Sequence, residues 1–237
     1  MFLSFITSLT ILFSGGRSSV GPDYIILKDD KFNNGFPESH YDKIIKRVKN
    51  VYEPIIVDEG GELKILSDWT DGAVNMWAER YGNTYILEIP GGMVRYYLIN
   101  EVAFVISICH ELGHLLGGDP KSGQISYEGQ SDYFANLECS RIILEDMALY
   151  KPIEIDTEVI DYCSDKEDDY CEFLLQGSKS LSSLYAEIAG ASFPQISNFD
   201  NTEVSKTLVS HPSAQCRLDT FVASYEQGKR PSCWFKD

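Results

Sequence analysis

His110-Glu111-Leu112-Gly113-His114-Leu115-Leu116-Gly117-Gly118 places an HExxH pattern at the end of an apolar run. On a helix, residues four apart share a face, so both imidazoles can reach one metal ion. Glu111 between them is then placed to take a proton from a metal-bound water. Two histidines in an otherwise apolar helix would be costly to bury without a partner, which favours ligation over a surface role. The run ends sharply: Gly117 and Gly118 suit a helix terminus, and Asp119-Pro120 cannot continue one.

Catalytic zinc usually keeps three protein ligands and leaves a fourth position to water or substrate. Downstream, Glu128-Gly129-Gln130-Ser131-Asp132 opens a second stretch with helical spacing. Glu128 and Asp132 are four apart and face the same way. Glu128 is the candidate third ligand, and Asp132 the candidate partner that holds a ligand histidine by its other ring nitrogen.

HExxH followed by ExxxD resembles the HtpX-type and CAAX-prenyl-protease-type zinc metallopeptidases, a branch of the gluzincins. Pro90-Gly91-Gly92 is similar to the family's PGG turn, and Val74-Asn75-Met76-Trp77-Ala78 to its Asn-Ala-Phe-Ala strand. His211-Pro212 with Arg217 looks like its late His-Pro-…-Arg element, so the resemblance runs from Val74 to Arg217. It implies one catalytic zinc on His110, His114 and Glu128, with Glu111 as general base. It further implies that His211 stabilises the oxyanion and that Arg217 pairs with Asp132. In the family the asparagine strand runs almost directly into PGG, whereas here Glu79 to Ile89 intervenes. Either Val74–Ala78 or Thr84–Ile89 could therefore flank the cleft and hold an extended substrate by strand addition. The membrane helices of many relatives have no counterpart, which argues against a membrane-embedded prenyl-protein protease and predicts no stable membrane span.

The 237 residues suffice for one well-buried domain, and 43% hydrophobic residues indicate a globular chain. A formal net charge of -16 argues against nucleic acid and anionic lipid as partners, and the resemblance implies a polypeptide substrate. The acidic run Asp165–Asp169 reads as a solvated loop. Six cysteines point to an oxidising compartment, and they allow 15 pairings. Cys163 with Cys171 and Cys216 with Cys233 are plausible local bridges, leaving Cys109 and Cys139 as buried or bridged thiols. Cys109 lies about 100° around the helix from His110 and is disfavoured as a ligand. Phe2 to Phe13 is apolar but too short to span a bilayer, and Ser14-Gly15-Gly16 supplies small residues for cleavage. The expectation is a signal peptide over residues 1–16, followed by a single metallopeptidase domain over 17–237. No basic residue precedes the apolar run. The protein would thus be secreted or periplasmic.

Patterning predicts strands at Tyr24–Leu27, Leu63–Trp69 and Thr84–Ile89, with the asparagine strand between the last two and a turn at Gly82-Asn83. Helices are predicted over Tyr41–Val51, Tyr97–Leu116, Glu128 to about Tyr150, Phe173–Ala191 and Pro212–Tyr225. Strands first and helices afterward indicate an α+β domain: mainly helical, gluzincin-type, with a small N-terminal antiparallel-type sheet beside the active-site helix. The expected function is zinc-dependent endopeptidase action. The alternatives are a non-catalytic binding or chaperone-like module stabilised by the metal, and a zinc hydrolase of non-peptide or cell-wall amides. The intact Glu111 favours catalysis, because a structural metal has no use for a general base.

Overall fold

A computed structural model describes residues 24–145 and 147–237, so the expected signal segment lies outside the described residues. The chain is α+β and mainly helical, and the helix that carries HExxH runs through its centre.

The first helix, α1 (Glu38–Asp58), buries Tyr41, Ile44, Val48, Tyr52 and Ile56, a stripe of helical period facing the core. Three strands follow: β1 (Glu62–Asp68), β2 (Trp77–Tyr81) and β3 (Thr84–Pro90). Their order is β1-β3-β2, with β2 antiparallel to β3 but β1 parallel to it. The sheet is therefore mixed, which corrects the expected antiparallel type. Tyr85, Leu87 and Ile89 of β3 are buried in alternation, so this apolar strand takes the centre. The more polar β2, joined to β3 by the Gly82-Asn83 turn, is left on an edge. The connection from β1 to β2 then has to pass the end of β3, which sets β1 parallel to it. The expected strand at Tyr24–Leu27 is reduced to a single bridge between Ile25 and Ala73.

Pro90 leads into the short helix α2 (Gly91–Arg95), and α3 (Glu101–Leu116) follows. The start of α3 is later than the apolar run suggested, because Asn100 caps it: its side chain accepts a hydrogen bond from the Ala103 amide at 2.8 Å. Glu101 in the first turn is clamped by His40 at 2.6 Å and by the Tyr150 amide at 2.6 Å. His40 is thus half-buried and structural. Val102 to Ile106 and Ile108 are wholly buried on every side of α3, as their all-round apolarity predicts, apart from Ser107.

After α3 a small hairpin, β4 (Lys121–Ser122) with β5 (Ile125–Ser126), leads into α4 (Glu128–Phe134). The helix predicted to run on to Tyr150 changes character instead. It widens into a π-helical turn at Ala135–Cys139, resumes as α5 (Ser140–Leu144) and stops where Glu145 turns extended. The π turn carries Cys139, which bridges to Cys109 on α3. Helix α6 (Thr157–Cys163) had no clear signal, whereas α7 (Cys171–Ile188) and α8 (Ala214–Tyr225) lie near their predicted positions. Ser213 caps α8, so Pro212 lies just before the cap and not in the first turn. The acidic run is an irregular loop, with Asp168 paired to Arg141. Among the described residues no helix is long and apolar enough to cross a membrane.

Two close approaches bring the motifs together. A Cβ on Gly113 would lie 2.7 Å from the Cα of Ser131, so α3 and α4 touch backbone to backbone. A Cβ on Gly129 would lie 2.2 Å from the ring of Trp234, which packs on α4 from the other side. The Cys216–Cys233 bridge ties that C-terminal hook to α8, and Cys163–Cys171 joins α6 to α7. The third bridge, Cys109–Cys139, closes a 30-residue loop around both motif-bearing helices. Replacing both of those cysteines by serine should cost about 3 kcal/mol of stability in chemical denaturation. An unchanged midpoint would mean that packing alone holds the helices.

Candidate metal centre

The floor of the cleft is made by α3, with His110 and His114 one turn apart and their rings 4.7 Å between centroids. Each ring is held by its Nδ1. His110 Nδ1 lies 2.8 Å from Asp132 Oδ1, and His114 Nδ1 lies 2.9 Å from the Ser126 carbonyl. A carboxylate and a carbonyl both accept, so each ring donates from Nδ1 and turns its Nε2 lone pair inward. Both point at Glu128, whose Oε2 is 3.3 Å from His110 Nε2 and 3.5 Å from His114 Nε2. That oxygen is buried, and no aligned donor reaches it.

Three acceptor atoms thus converge in a place shielded from water. His110, His114 and Glu128 could hold a metal ion, with their ligand atoms all within 4.8 Å of one another. A cation resolves the repulsion that such an arrangement would otherwise carry. Without one, a proton does so. Burial pulls His110 down, but the Asp132 carboxylate and its hydrogen bond outweigh this and raise it to about 9. Burial likewise opposes ionisation of Glu128, yet the two imidazoles beside it bring it well below the usual carboxylate range.

Behind His110 stands a buried ionic relay. Asp132 is fully buried, and Arg217 grips it with Nε to Oδ2 at 2.8 Å and Nη2 to Oδ1 at 2.7 Å. Burial alone would raise Asp132, but Arg217 and His110 hold it below its ordinary value. The guanidinium lies 3.6 Å from the centroid of the Tyr185 ring, which covers its other face. Sequence reasoning missed Tyr185: a tyrosine on an amphipathic helix carries no motif. It also missed the Ser126 carbonyl, because a backbone acceptor leaves no trace in residue type.

His211 reaches the same point from the segment before α8, with Nε2 3.2 Å from Glu128 Oε2. Burial, helped by Arg217 and His110 and opposed by Glu128, lowers it to about 4, so its imidazole is neutral near pH 7. Glu111 lines the cleft between the histidines, and burial raises its carboxyl above the ordinary value despite their attraction. The cleft measures about 580 Å³ and has residues 75–81 along one wall and Val209–His211 along another. β2 is the strand that borders it, and among the described strands it lies at the edge of the sheet. β3 is paired on both sides and cannot add a strand. Of the two expected spans it is therefore Val74–Ala78 that lies at the cleft, with the strand itself starting at Trp77 and running on to Tyr81.

No protein-family model, curated protein or solved structure matches this chain. What the centre can do follows from its own groups: a buried N, N, O donor set, a carboxylate of raised pKa beside it, and an open cleft. The second grouping of metal-type residues, Asp200 with Cys216 and Cys233, offers no comparable set, since both sulfurs are in a disulfide.

Removing the relay's cation should be severe. Arg217→Met leaves Asp132 buried with only His110 for a partner, at a cost of about 3–5 kcal/mol in thermal or chemical unfolding. Metal binding should depend on pH with a definite sign. A metal at His110 has to displace the proton held there, so affinity rises towards about pH 9 and weakens by about tenfold per pH unit below it. Titration calorimetry in buffers of different ionisation enthalpy reads the released proton, and a pH-independent affinity would contradict this protonation state.

Proposed function

We propose that this chain is an exported zinc-dependent endopeptidase of the HtpX and CAAX-prenyl-protease kind. The observation that carries the proposal is Glu111: a carboxylate of raised pKa shares one cleft with the His110, His114 and Glu128 donor set. A purely structural metal would have no need of it. Two imidazole nitrogens and one carboxylate oxygen suit zinc and leave room for a fourth position. Three disulfides among the described residues fit an oxidising compartment.

Zinc held there would supply Lewis acidity, polarising a substrate carbonyl and lowering the pKa of a water molecule. The chain's own residues do the rest. Glu111 removes a proton from the attacking water as its oxygen bonds to the carbonyl carbon. It then delivers that proton to the amine nitrogen as the C–N bond breaks. The raised pKa brings Glu111 closer to the range in which one group serves as both acceptor and donor. Neutral His211 can donate a hydrogen bond to the developing oxyanion. The Tyr185 hydroxyl, kept protonated by burial that raises it far above the ordinary value, is a second donor lining the cleft. Asp132 and Arg217 keep His110 in the tautomer that presents Nε2.

The test is cleavage of a complex peptide mixture by zinc-loaded, oxidised protein beside Glu111→Gln, read by mass spectrometry. Cutting by the first and loss of at least about 100-fold in the second is the expected result. If both hold one zinc and neither cuts, a metal-stabilised binding module is the better description.

A further inference from the structure

Arg80 stands on β2 where that strand borders the cleft. It is paired in register with Tyr85 of β3, and directly opposed residues point to the same face of a sheet. Its guanidinium accordingly lies over the Tyr85 ring, 4.0 Å from the centroid. Nε donates to the Gly82 carbonyl at 3.2 Å, and Nη1 reaches the Leu115 carbonyl at 3.5 Å. Stacking and these two contacts together fix the plane of the group. Arg80 lines the cleft, whereas Tyr85, Gly82 and Leu115 do not, so the half-buried cation is the layer between them and the open space.

No carboxylate of the described residues pairs with this cation. The other arginine lining the cleft, Arg217, is already committed to Asp132. The acids of the lining are Glu79, Glu111 and Glu128, and the last two belong to the metal centre. Glu79 adjoins Arg80 in the chain and so projects from the opposite face of β2, where it accepts from the Tyr81 hydroxyl at 3.0 Å. Of the five N–H groups of a guanidinium, Gly82 and Leu115 use two, which leaves three. Both N–H groups of Nη2 are among them, with one of Nη1 alongside. That is the fork that takes the two oxygens of a carboxylate.

The position matters as much as the charge. Leu115 lies one turn beyond Glu111 on α3, about 6 Å along the helix axis. An extended peptide advances about 3.3 Å per residue, so a carboxylate held by Arg80 lies within a few residues of the bond that Glu111 serves.

We infer that Arg80 is a carboxylate-binding subsite of the cleft, selecting peptides that carry a chain-terminal or side-chain carboxylate within a few residues of the cleaved bond. The inference rests on the peptidase proposal and narrows its substrate class.

The test uses four hydroxamates in two matched pairs. The first pair is N-hydroxysuccinamoyl-alanine and its amide. The second is the amides of N-hydroxysuccinamoyl-aspartate and N-hydroxysuccinamoyl-asparagine. Each pair exchanges one carboxylate for a carboxamide, at the terminus in the first and on the side chain in the second. Binding to zinc-loaded protein is measured by calorimetry, beside cleavage of peptides that carry the same exchanges. At least one acid should bind about tenfold tighter than its amide, and the pair that shows this identifies the source of the carboxylate. In Arg80→Gln and Arg80→Met alike, the preference should fall to about twofold or less. An Arg80 that only capped the end of α3 would affect both members of a pair equally and leave their ratio unchanged. Acids that bind no tighter than their amides, a preference that survives in either variant, or no binding by any of the four overturns the inference. A carboxylate preference without cleavage of any peptide upholds the subsite and removes the peptidase proposal. Cleavage indifferent to the carboxylate does the reverse.

Discussion

A buried guanidinium holds this centre together. Arg217 is 1% exposed and grips Asp132 through two hydrogen bonds, and Asp132 in turn fixes His110. Burying two such charges is expensive, and only close pairing with full hydrogen bonding offsets it. The pairing needs α8, α4 and α3 to sit at one distance from each other. Once they do, His110 cannot rotate, and its Nε2 is committed to the cleft. An ionic relay that is poor value as a source of stability is thus well suited to setting a geometry.

The surrounding structure enforces the same distance by other means. Gly113 lets α3 meet Ser131 of α4 without a side chain between them. Trp234 presses on Gly129 from behind, and the Cys109–Cys139 bridge links α3 to the π turn beyond α4. On the open side, the polarity of β2 and the apolarity of β3 decide which strand is central. The strand left on the edge is the one that borders the cleft. The sheet thereby sets that strand beside a carboxylate and a donor set that both face the same space.

Local patterns were legible wherever the chemistry is periodic. HExxH and ExxxD each depend on four-residue spacing along a single helix, so their shared faces can be read directly. The structure brings all of His110, Glu111, His114, Glu128, Asp132, His211 and Arg217 to one cleft and the relay behind it. The two short-range cysteine pairs were legible for the same reason. The pairing of Cys109 with Cys139 was not, because it spans 30 residues and depends on how α3 packs against the helix after α4. The end of that helix was also overextended, since apolar spacing continues through the π turn and α5 while the backbone turns away at Glu145.

The sequence by itself determined the donor types, their helical spacing, the carboxylate between the two histidines and the mainly helical α+β character. Each of these depends on near neighbours or on composition. Tertiary structure alone decided the mixed sheet with β2 at its edge, the Ser126 carbonyl that orients His114 and the Tyr185 cover over Arg217. Each of those is a meeting of segments distant in the chain, brought about by packing and backbone hydrogen bonding. A single strand or helix does not encode such a meeting, because a backbone carbonyl or an apolar side chain looks the same in sequence wherever it ends up.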